Sequence, residues 1–295
     1  MNKKIDLHIH SNFSEDADLS IEELFKQAME SSVSVIAITD HDSVKSIDIA
    51  SNTSKRYQIE YIPGIEITTV FPVDNSQQHI LGYYINNKDS ELLRCLDKIA
   101  ELRKKIARQR IEALRKLNFS LNEDNIWALT GDRPPTAVSI MTEIFSNKNN
   151  LNDKRLYDYL HGEKKDNKMG QFYKDYFTEN GQAYVPFESV STREGIEIIK
   201  KAGGVPIIAH PVFLKEKRYL DIILEMGIAG MEAISTYHKQ EDVIFYSDYA
   251  VKNNLLITAG SDYHGPTAKP HIKLGKQDGM DYSYYEKLKD FHNMK

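Results

Sequence analysis

Cysteine is nearly absent from this sequence, which has one cysteine, Cys95, among 295 residues. A single thiol can form no disulfide within the chain, and it argues against a structural zinc site built from several thiolates. Cys95 lies beside Leu92, Leu93 and Leu96 in a helical pattern, so we expect it to be a reduced core residue. The length is sufficient for one large domain or two modest ones.

Long hydrophobic runs are missing as well, and without eighteen consecutive apolar residues we expect no membrane span. The first four residues are polar or charged apart from Met1, and no apolar segment follows them, so we expect no secretory signal and a cytoplasmic protein. A formal net charge of −5 disfavours the wrapping of duplex DNA. It still permits a small phosphorylated substrate held by a few arginines.

What the sequence does contain is a series of strand patterns, most of them followed by helical patterns. Apart from Ser34, the run at 33–39 is β-branched or apolar, which is typical of a strand buried on both faces in a parallel sheet. We predict seven strands, at 5–10, 33–39, 59–67, 79–85, 205–209, 230–234 and 255–259. Pro63-Gly64 is expected to break the third strand, and a hairpin loop is expected between the third and fourth. This α/β pattern fits a parallel barrel or a doubly wound sheet, and either fold places its active site at the carboxyl ends of the strands.

Strand patterns stop between the fourth and fifth strands, where the chain becomes helical for about ninety residues. Such a stretch is too long for a loop. We therefore predict a helical insert at 89–182 and a barrel or sheet domain formed by 1–88 and 183–295. The first helix of the insert, at about 90–116, carries many lysines and arginines on one face. That face could extend a nucleotide or RNA site, or it could be a solvated surface.

Histidines and carboxylates recur at or near the ends of the predicted strands. His8 and His10 are two residues apart on a strand, so they share one face and form half of a metal site. The other residues of this kind are His41, Glu66, His79, His210, Asp262 and His264. Imidazole and carboxylate ligands suit zinc, iron or manganese. Eight ligands exceed what one ion needs, so we expect two or three divalent ions that share a bridging carboxylate.

Five motifs carry these residues in order along the chain. They are Asp6-Leu7-His8-Ile9-His10, Ile38-Thr39-Asp40-His41-Asp42, Pro63-Gly64-Ile65-Glu66, Ala209-His210-Pro211 and Ser261-Asp262-Tyr263-His264. With them the sequence resembles the PHP (polymerase and histidinol phosphatase) family of metal-dependent phosphoesterases. The resemblance implies a distorted (β/α)7 barrel that holds up to three metal ions.

The resemblance also implies how the ligands divide among the ions. The first ion would take His8, His10, Glu66 and Asp262; the second would take His79, His210 and Glu66, which bridges the two. A third site would use His41, His264 and an acid or histidine from the loop after His10. Both Glu15 and Asp16 have suitable spacing there, and we favour Asp16, the more common ligand type in the family.

Within the family, the sequence resembles the subgroup that removes phosphate from small nucleotides, either nucleoside 3′,5′-bisphosphates or short 5′-phosphorylated RNA. An arginine of the insert grips substrate phosphate in that subgroup, and Arg133 matches its position, although Pro135 stands where the subgroup usually has histidine. His238, which follows a strand, is a second candidate for substrate binding.

The mechanism implied is in-line attack on phosphorus by a hydroxide held between the two ions that Glu66 bridges. His210 or His264 would protonate the leaving oxygen. Two alternatives remain: a histidinol-phosphate phosphatase, which the long insert disfavours, and an inactive metal-binding module, which would be expected to lack ligands.

Overall fold

The computed structural model describes residues 3–294 of the chain. Met1 and Asn2, which contributed to the prediction that a secretory signal is absent, lie outside the described residues. None of the helices in the described part combines the length and the apolar character needed to cross a bilayer.

Seven strands form one sheet in which spatial order follows chain order. They are β1 (Lys4–Ile9), β2 (Val33–Ile38), β3 (Glu60–Val70), β4 (Gln77–Tyr83), β5 (Val205–Ile208), β6 (Gly230–Ser235) and β7 (Leu256–Gly260). β4 is antiparallel to β3 and β5, and the other neighbouring pairs are parallel. A parallel bridge joins Ile9, at the end of β1, to Tyr263, just beyond β7, and His10 N donates to Tyr263 O at 2.8 Å. The sheet is therefore a nearly closed barrel, which confirms the predicted distorted (β/α)7 fold.

The helices are α1 (Ile21–Glu30), α2 (Ile47–Tyr57), α3 (Ser90–Lys116), α4 (Glu123–Thr130), α5 (Ala137–Ser146), α6 (Tyr157–Leu160), α7 (Lys168–Tyr176), α8 (Thr192–Lys201), α9 (Tyr219–Glu225), α10 (Gln240–Lys252) and α11 (Tyr282–Asn293).

The start of α1 is determined by a few neighbouring residues. Ser20 accepts from the backbone of Glu23, and Glu23 in turn accepts from the backbone of Ser20, so two amide groups are satisfied at once.

The expected break in the third strand is wrong, because β3 runs through Pro63 and Gly64 without interruption. Pro63 keeps its place in the register opposite Ile38, and its carbonyl accepts from Ile85 N at 3.2 Å. Gly64 permits a close approach of β2: a Cβ atom there would lie 2.7 Å from Thr39 Cγ2 and 3.0 Å from Ile38 O. The glycine therefore serves packing between strands. The hairpin between β3 and β4 is confirmed by their antiparallel pairing.

The described chain divides into two compact units. One contains the chain up to Leu96 and the chain from Val190 onwards, and it includes the whole barrel. The other, Asp97–Ser189, has a core of its own in which Phe172 and Phe177 are fully buried. The predicted domain division, with an insert at 89–182, stays a prediction.

Candidate metal centre

Strand β1 and the residue that follows it each place a histidine inside the barrel: His8 lies in β1, and His10 directly follows Ile9, its last residue. All its residues from Ile5 to Ile9 are buried, and the alternating polar positions place His8 and His10 together without exposed surface. Their Nε2 atoms lie 3.1 Å apart. Two imidazole nitrogens held this closely, with carboxylates nearby, form a ready pair of metal ligands.

The other strand-end residues converge on the same place. Three groups each offer one ligand atom per residue within 4.8 Å of the others in the group: His8, His10, Glu66 and Asp262; His41, Glu66 and His79; and His10, His41 and His264. His210 Nε2 adds a contact of 3.2 Å with Glu66 Oε1. All eight strand-associated residues singled out from the sequence are thus brought into one cluster.

Glu66 lies at the centre of this cluster, and its two oxygens face different histidines. Oε1 is 3.0 Å from His79 Nδ1 and 3.2 Å from His210 Nε2. Oε2 lies 3.3 Å from His8 Nε2, 3.2 Å from His10 Nε2 and 3.0 Å from His41 Nδ1. One carboxylate therefore contacts five imidazoles, as a ligand shared by two ions would.

Buried polar atoms without hydrogen-bond partners indicate whether a cation would fit in this cluster. Glu66 Oε2 accepts no hydrogen bond from residues 3–294 despite its three close nitrogens, and the buried atoms Asp262 Oδ1 and His264 Nε2 also lack hydrogen-bond partners within that range. Buried polar atoms are ordinarily satisfied, so each such exception needs an explanation. Divalent ions would satisfy all three, and the donor set of imidazole and carboxylate suits zinc, iron or manganese.

Charge within the cluster shifts the pKa values of its members in opposite directions. Burial raises the pKa of Glu66, but the imidazoles of His79, His8 and His41 outweigh it, so that pKa lies well below the ordinary value. Burial lowers the pKa of His8, but the carboxylates of Glu232, Glu66 and Asp262 raise it well above the usual range.

His10 behaves in the opposite way to its neighbour. Burial, together with the nearby imidazoles of His264 and His41, lowers its pKa to about 4. At neutral pH its imidazole is therefore uncharged, which is the form of imidazole that binds a metal.

Asp16 lies beside the third group of histidines. Its Oδ2 is 3.6 Å from His41 Nε2 and 3.4 Å from His264 Nε2. The two imidazoles hold its pKa well below the ordinary value although burial alone would raise it. This position agrees with the loop-ligand role expected for Asp16, which stays a prediction, as does the preference over Glu15.

Two residues of the cluster adopt unusual backbone conformations. His210 has φ of 26° and Asp262 has φ of 55°, both in the left-handed region that residues other than glycine rarely occupy. Each lies just past its strand, β5 or β7. Such conformations cost free energy and persist where the surroundings fix them, which is common at functional sites.

The sequence reasoning missed Glu232, a fully buried carboxylate in the middle of β6. Its Oε1 accepts from His8 Nδ1 at 2.9 Å, and its Oε2 accepts from His210 N at 2.9 Å. A carboxylate on the far nitrogen of a metal-binding histidine fixes the ring and raises its basicity. In the sequence, Glu232 is the single acid in the otherwise apolar run 230–234, and this feature could have identified it.

Ser14 and Asp40 support His10 in the same way. Ser14 Oγ donates to Asp40 Oδ1 at 3.1 Å, so the hydroxyl oxygen is left to accept from His10 Nδ1 at 3.2 Å. His10 then carries its proton on Nδ1, and its Nε2 lone pair points into the cluster.

Asp262 divides its two oxygens between the cluster and a second pair of side chains. Its Oδ1 lies 3.3 Å from His8 Nε2 and 3.1 Å from His10 Nε2. Its Oδ2 accepts from Tyr237 OH at 2.5 Å and from Lys269 Nζ at 2.6 Å. Tyr237 and Lys269 were also missed, because neither belongs to a local motif.

Neither residue predicted to bind substrate belongs to the groups above. Arg133 follows α4 in the unit Asp97–Ser189, where its Nε donates to Thr130 O at 3.3 Å. His238 is buried, with its Nδ1 2.8 Å from Ala233 O and its ring 4.9 Å from that of Tyr246. Both roles stay predictions.

The basic face of α3 is partly paired within the unit Asp97–Ser189. Lys104 contacts Glu101, Lys105 contacts Glu188 and Arg115 contacts Glu123. These exposed pairs agree with a solvated surface, one of the two alternatives considered for this face.

Comparison with known proteins agrees with this description. A profile of the PHP domain matches residues 6–180. The chain is 30% identical over 281 residues to a 5′-3′ exoribonuclease of Haemophilus influenzae, covering 94% of each sequence. It is 28% identical over 269 residues to a 3′,5′-nucleoside bisphosphate phosphatase of Chromobacterium violaceum, covering 89% of this chain and 87% of the relative.

Two further similarities extend over nearly the whole chain. A phosphoribosyl 1,2-cyclic phosphate 1,2-diphosphodiesterase of Eggerthella lenta is 24% identical over 283 residues, which cover 90% of this chain and 97% of the relative. A crystal structure from Bifidobacterium adolescentis, described as a metal-dependent phosphoesterase, superimposes with a TM-score of 0.79 at 23% identity and covers 97% of this chain and 95% of that one. At that identity, the structural similarity shows the fold.

Proposed function

The chain belongs to the PHP family of metal-dependent phosphoesterases, and from this premise we propose that it removes phosphate from small nucleotides. Nucleoside 3′,5′-bisphosphates and short 5′-phosphorylated RNA are the substrates proposed. The observation that carries the proposal is the position of Glu66, whose two fully buried oxygens face five imidazoles.

The ligands would divide into three sets around Glu66. The first ion would be held by His8, His10, Glu66 and Asp262, the second by Glu66, His79 and His210, and the third by Asp16, His41 and His264. Bound divalent ions would supply Lewis-acid chemistry, activating water at neutral pH and offsetting charge on the phosphoryl oxygens. Manganese, zinc and iron all suit these ligands.

The protein's own contribution is to hold charged and neutral ligands in fixed directions. The low pKa of Glu66 keeps its carboxylate ionised at neutral pH. Glu232 fixes His8 through Nδ1, and Ser14 fixes His10 through Nδ1, so both Nε2 atoms face the centre. Fixed ligands require little reorganisation during reaction, which is the main way a site of this kind lowers a barrier.

The leaving oxygen needs a proton, and His210 and His264 are the proposed donors, each as an alternative to its proposed role as a metal ligand, because an imidazole nitrogen bound to an ion carries no proton. His264 Nδ1 donates to the backbone carbonyl of Asp262 at 2.9 Å, which leaves Nε2 directed towards Asp16. His210 directs its Nε2 at Glu66. Each histidine is substituted by glutamine, and the metal content is measured together with the pH–rate profile. Loss of the acid removes the alkaline limb of the profile at unchanged metal content, whereas loss of a ligand lowers the metal content.

The choice of substrate is supported by the activities named for the relatives. An exoribonuclease, a nucleoside bisphosphate phosphatase and a phosphoribosyl cyclic phosphate diesterase all act on phosphate esters of nucleosides or of phosphoribose. Arg133 is proposed to contact substrate phosphate, and His238 is the second residue proposed to bind substrate.

A phosphate-release screen with metal-supplemented protein tests the proposal. We expect kcat/KM for adenosine 3′,5′-bisphosphate or a 5′-phosphorylated trinucleotide to exceed that for histidinol phosphate by about tenfold or more. A preference for histidinol phosphate would support the alternative branch, and no turnover of any phosphoester would support the inactive module.

Matched histidine variants separate the cluster from general surface effects. His79→Ala removes a ligand that contacts Glu66, whereas His271→Ala changes an exposed histidine for which no role is proposed. Activity should be lost in the first variant and retained in the second.

A further inference from the structure

Two aromatic side chains lie directly beside the metal-ligand cluster. Phe213 ends a short 3₁₀ helix, Pro211–Phe213, that follows His210, and Tyr237 lies just beyond β6. The ring centroids of Phe213 and Tyr237 are 4.9 Å apart, and that of His210 is 5.1 Å from Phe213 and 5.8 Å from Tyr237. The three rings form one contiguous aromatic group, which we call the aromatic wall.

The aromatic wall is tied to the cluster at two points. His210 Nε2 lies 3.2 Å from Glu66 Oε1, and Tyr237 OH donates to Asp262 Oδ2 at 2.5 Å. The backbone of Phe213 is also fixed, because its N–H donates to His210 O at 3.2 Å. The position of the Phe213 ring relative to the proposed site of phosphate cleavage is therefore set by short, local contacts.

Phe213 nevertheless keeps 56% of its surface exposed. Single exposed apolar residues are common and need no explanation. This one differs because it continues an aromatic group that begins at a proposed metal ligand. Tyr237 meets Phe213 at 60°, a tilted contact that leaves ring surface of Phe213 available for another planar group.

We propose that Phe213, supported by Tyr237, binds the nucleobase of the substrate while the phosphoester lies at the metal-ligand cluster. This inference rests on the proposed function and narrows its substrate class to phosphoesters that carry a planar aromatic group. Every base has a π-face, so stacking on Phe213 selects nucleotides over aliphatic phosphates without selecting among bases.

The charge of Lys269, which lies beside the aromatic wall, is compatible with a nucleotide substrate. Lys269 Nζ lies 2.8 Å from Tyr237 OH and 5.5 Å from the centroid of its ring. The same ammonium donates to Asp262 Oδ2 at 2.6 Å, so it offsets a carboxylate charge that would otherwise repel an anionic phosphoester.

Two substitutions at one position test the role of the aromatic face. Phe213→Leu keeps an apolar side chain and removes the π-face, whereas Phe213→Trp retains one. With adenosine 3′,5′-bisphosphate, we expect Phe213→Leu to raise KM by about tenfold with little change in kcat, and Phe213→Trp to stay close to the wild type. With the same bisphosphate lacking its base, 1-deoxyribose 3,5-bisphosphate, the KM of all three proteins should agree. Equal losses on both substrates, or no loss on either, would overturn the inference.

A binding measurement separates this inference from the proposed function. The fluorescence of 2-aminopurine riboside 5′-monophosphate is expected to be quenched on binding to the wild type and to Phe213→Trp, and much less by Phe213→Leu. Quenching that depends on the residue at 213, in a protein that hydrolyses no nucleotide, would retain the base site and reject the proposed reaction. Hydrolysis of nucleotides together with quenching that Phe213→Leu does not change would support the proposed reaction and reject the base site.

Discussion

Glu232 Oε1 lies 2.9 Å from His8 Nδ1, and both side chains are fully buried. The other oxygen of Glu232 accepts from the backbone N–H of His210. One carboxylate on β6 therefore fixes the ring of a proposed metal ligand from β1 and the backbone of a proposed ligand that follows β5. Support of this kind is a main reason why strand ends far apart in sequence can form one rigid site.

Glu232→Gln should weaken metal binding by about 10- to 100-fold, because the uncharged amide supports the basicity of His8 less well. A competitive titration against a metal-chelating indicator measures this affinity. Glu225→Gln, at the exposed end of α9, is the matched control and should bind metal as the wild type does. Equal affinities in the two variants would contradict the supporting role of Glu232.

Glu66→Gln should reduce turnover to below about 1% of the wild type. The substitution keeps the size of the side chain but removes the charge that lies between five imidazoles. The number of ions bound per chain should fall with activity. Normal metal content and normal turnover in this variant would contradict the proposed bridging role of Glu66.

Chelation of the metal should lower thermal stability. Ions that bind the folded chain alone contribute about 2.7 kcal/mol when their concentration is 100 times Kd. For a chain of this size that corresponds to a loss of roughly 5–10 °C in Tm when the metal is removed. Scanning calorimetry with and without chelator measures the shift. His79→Ala should show a smaller dependence on chelator, whereas an equal shift in both proteins would point to ions bound elsewhere.

A tyrosine outside the cluster provides a pH-dependent prediction. Burial raises the pKa of Tyr84 to about 12. The folded chain therefore holds this proton more tightly than the unfolded chain, so the stabilisation is complete below about pH 10 and is lost as the pH rises through about 12.

Tyr84→Phe should remove this dependence and flatten the fall in free energy of unfolding between about pH 10 and 12. Near neutral pH the variant should be about as stable as the wild type. The Tyr84 hydroxyl has no hydrogen-bond partner among residues 3–294, and the phenyl ring can keep its stacking contact with His292 at 4.2 Å. Urea unfolding across this pH range measures the difference, and parallel curves for the two proteins would contradict it.

Local patterns explain how much the sequence could predict. His8 and His10 were recognisable because two residues on one strand share a face, and Ser20 because a capping box spans only four residues. The strand ends that carry His41, His210 and Asp262 follow apolar runs whose burial is encoded by their own composition. The closed barrel then brings these ends together.

Residues whose roles depend on distant contacts could not be predicted in this way. Glu232 contacts His8 across 224 positions of sequence, and Tyr237 contacts Asp262 across 25. Phe213 belongs to no motif that the sequence reveals, and only the structure shows that it lies beside His210 and Tyr237. The predicted break at Pro63 was wrong for a related reason. Only the pairing of β3 with β2 shows that the strand continues through this proline.

Metal content of the purified, active protein tests the central claim most directly. The cluster around Glu66 is proposed to hold two to three divalent ions per chain, and elemental analysis of protein with measured phosphoesterase activity should find that number. A fully active protein with one ion or none would contradict the account.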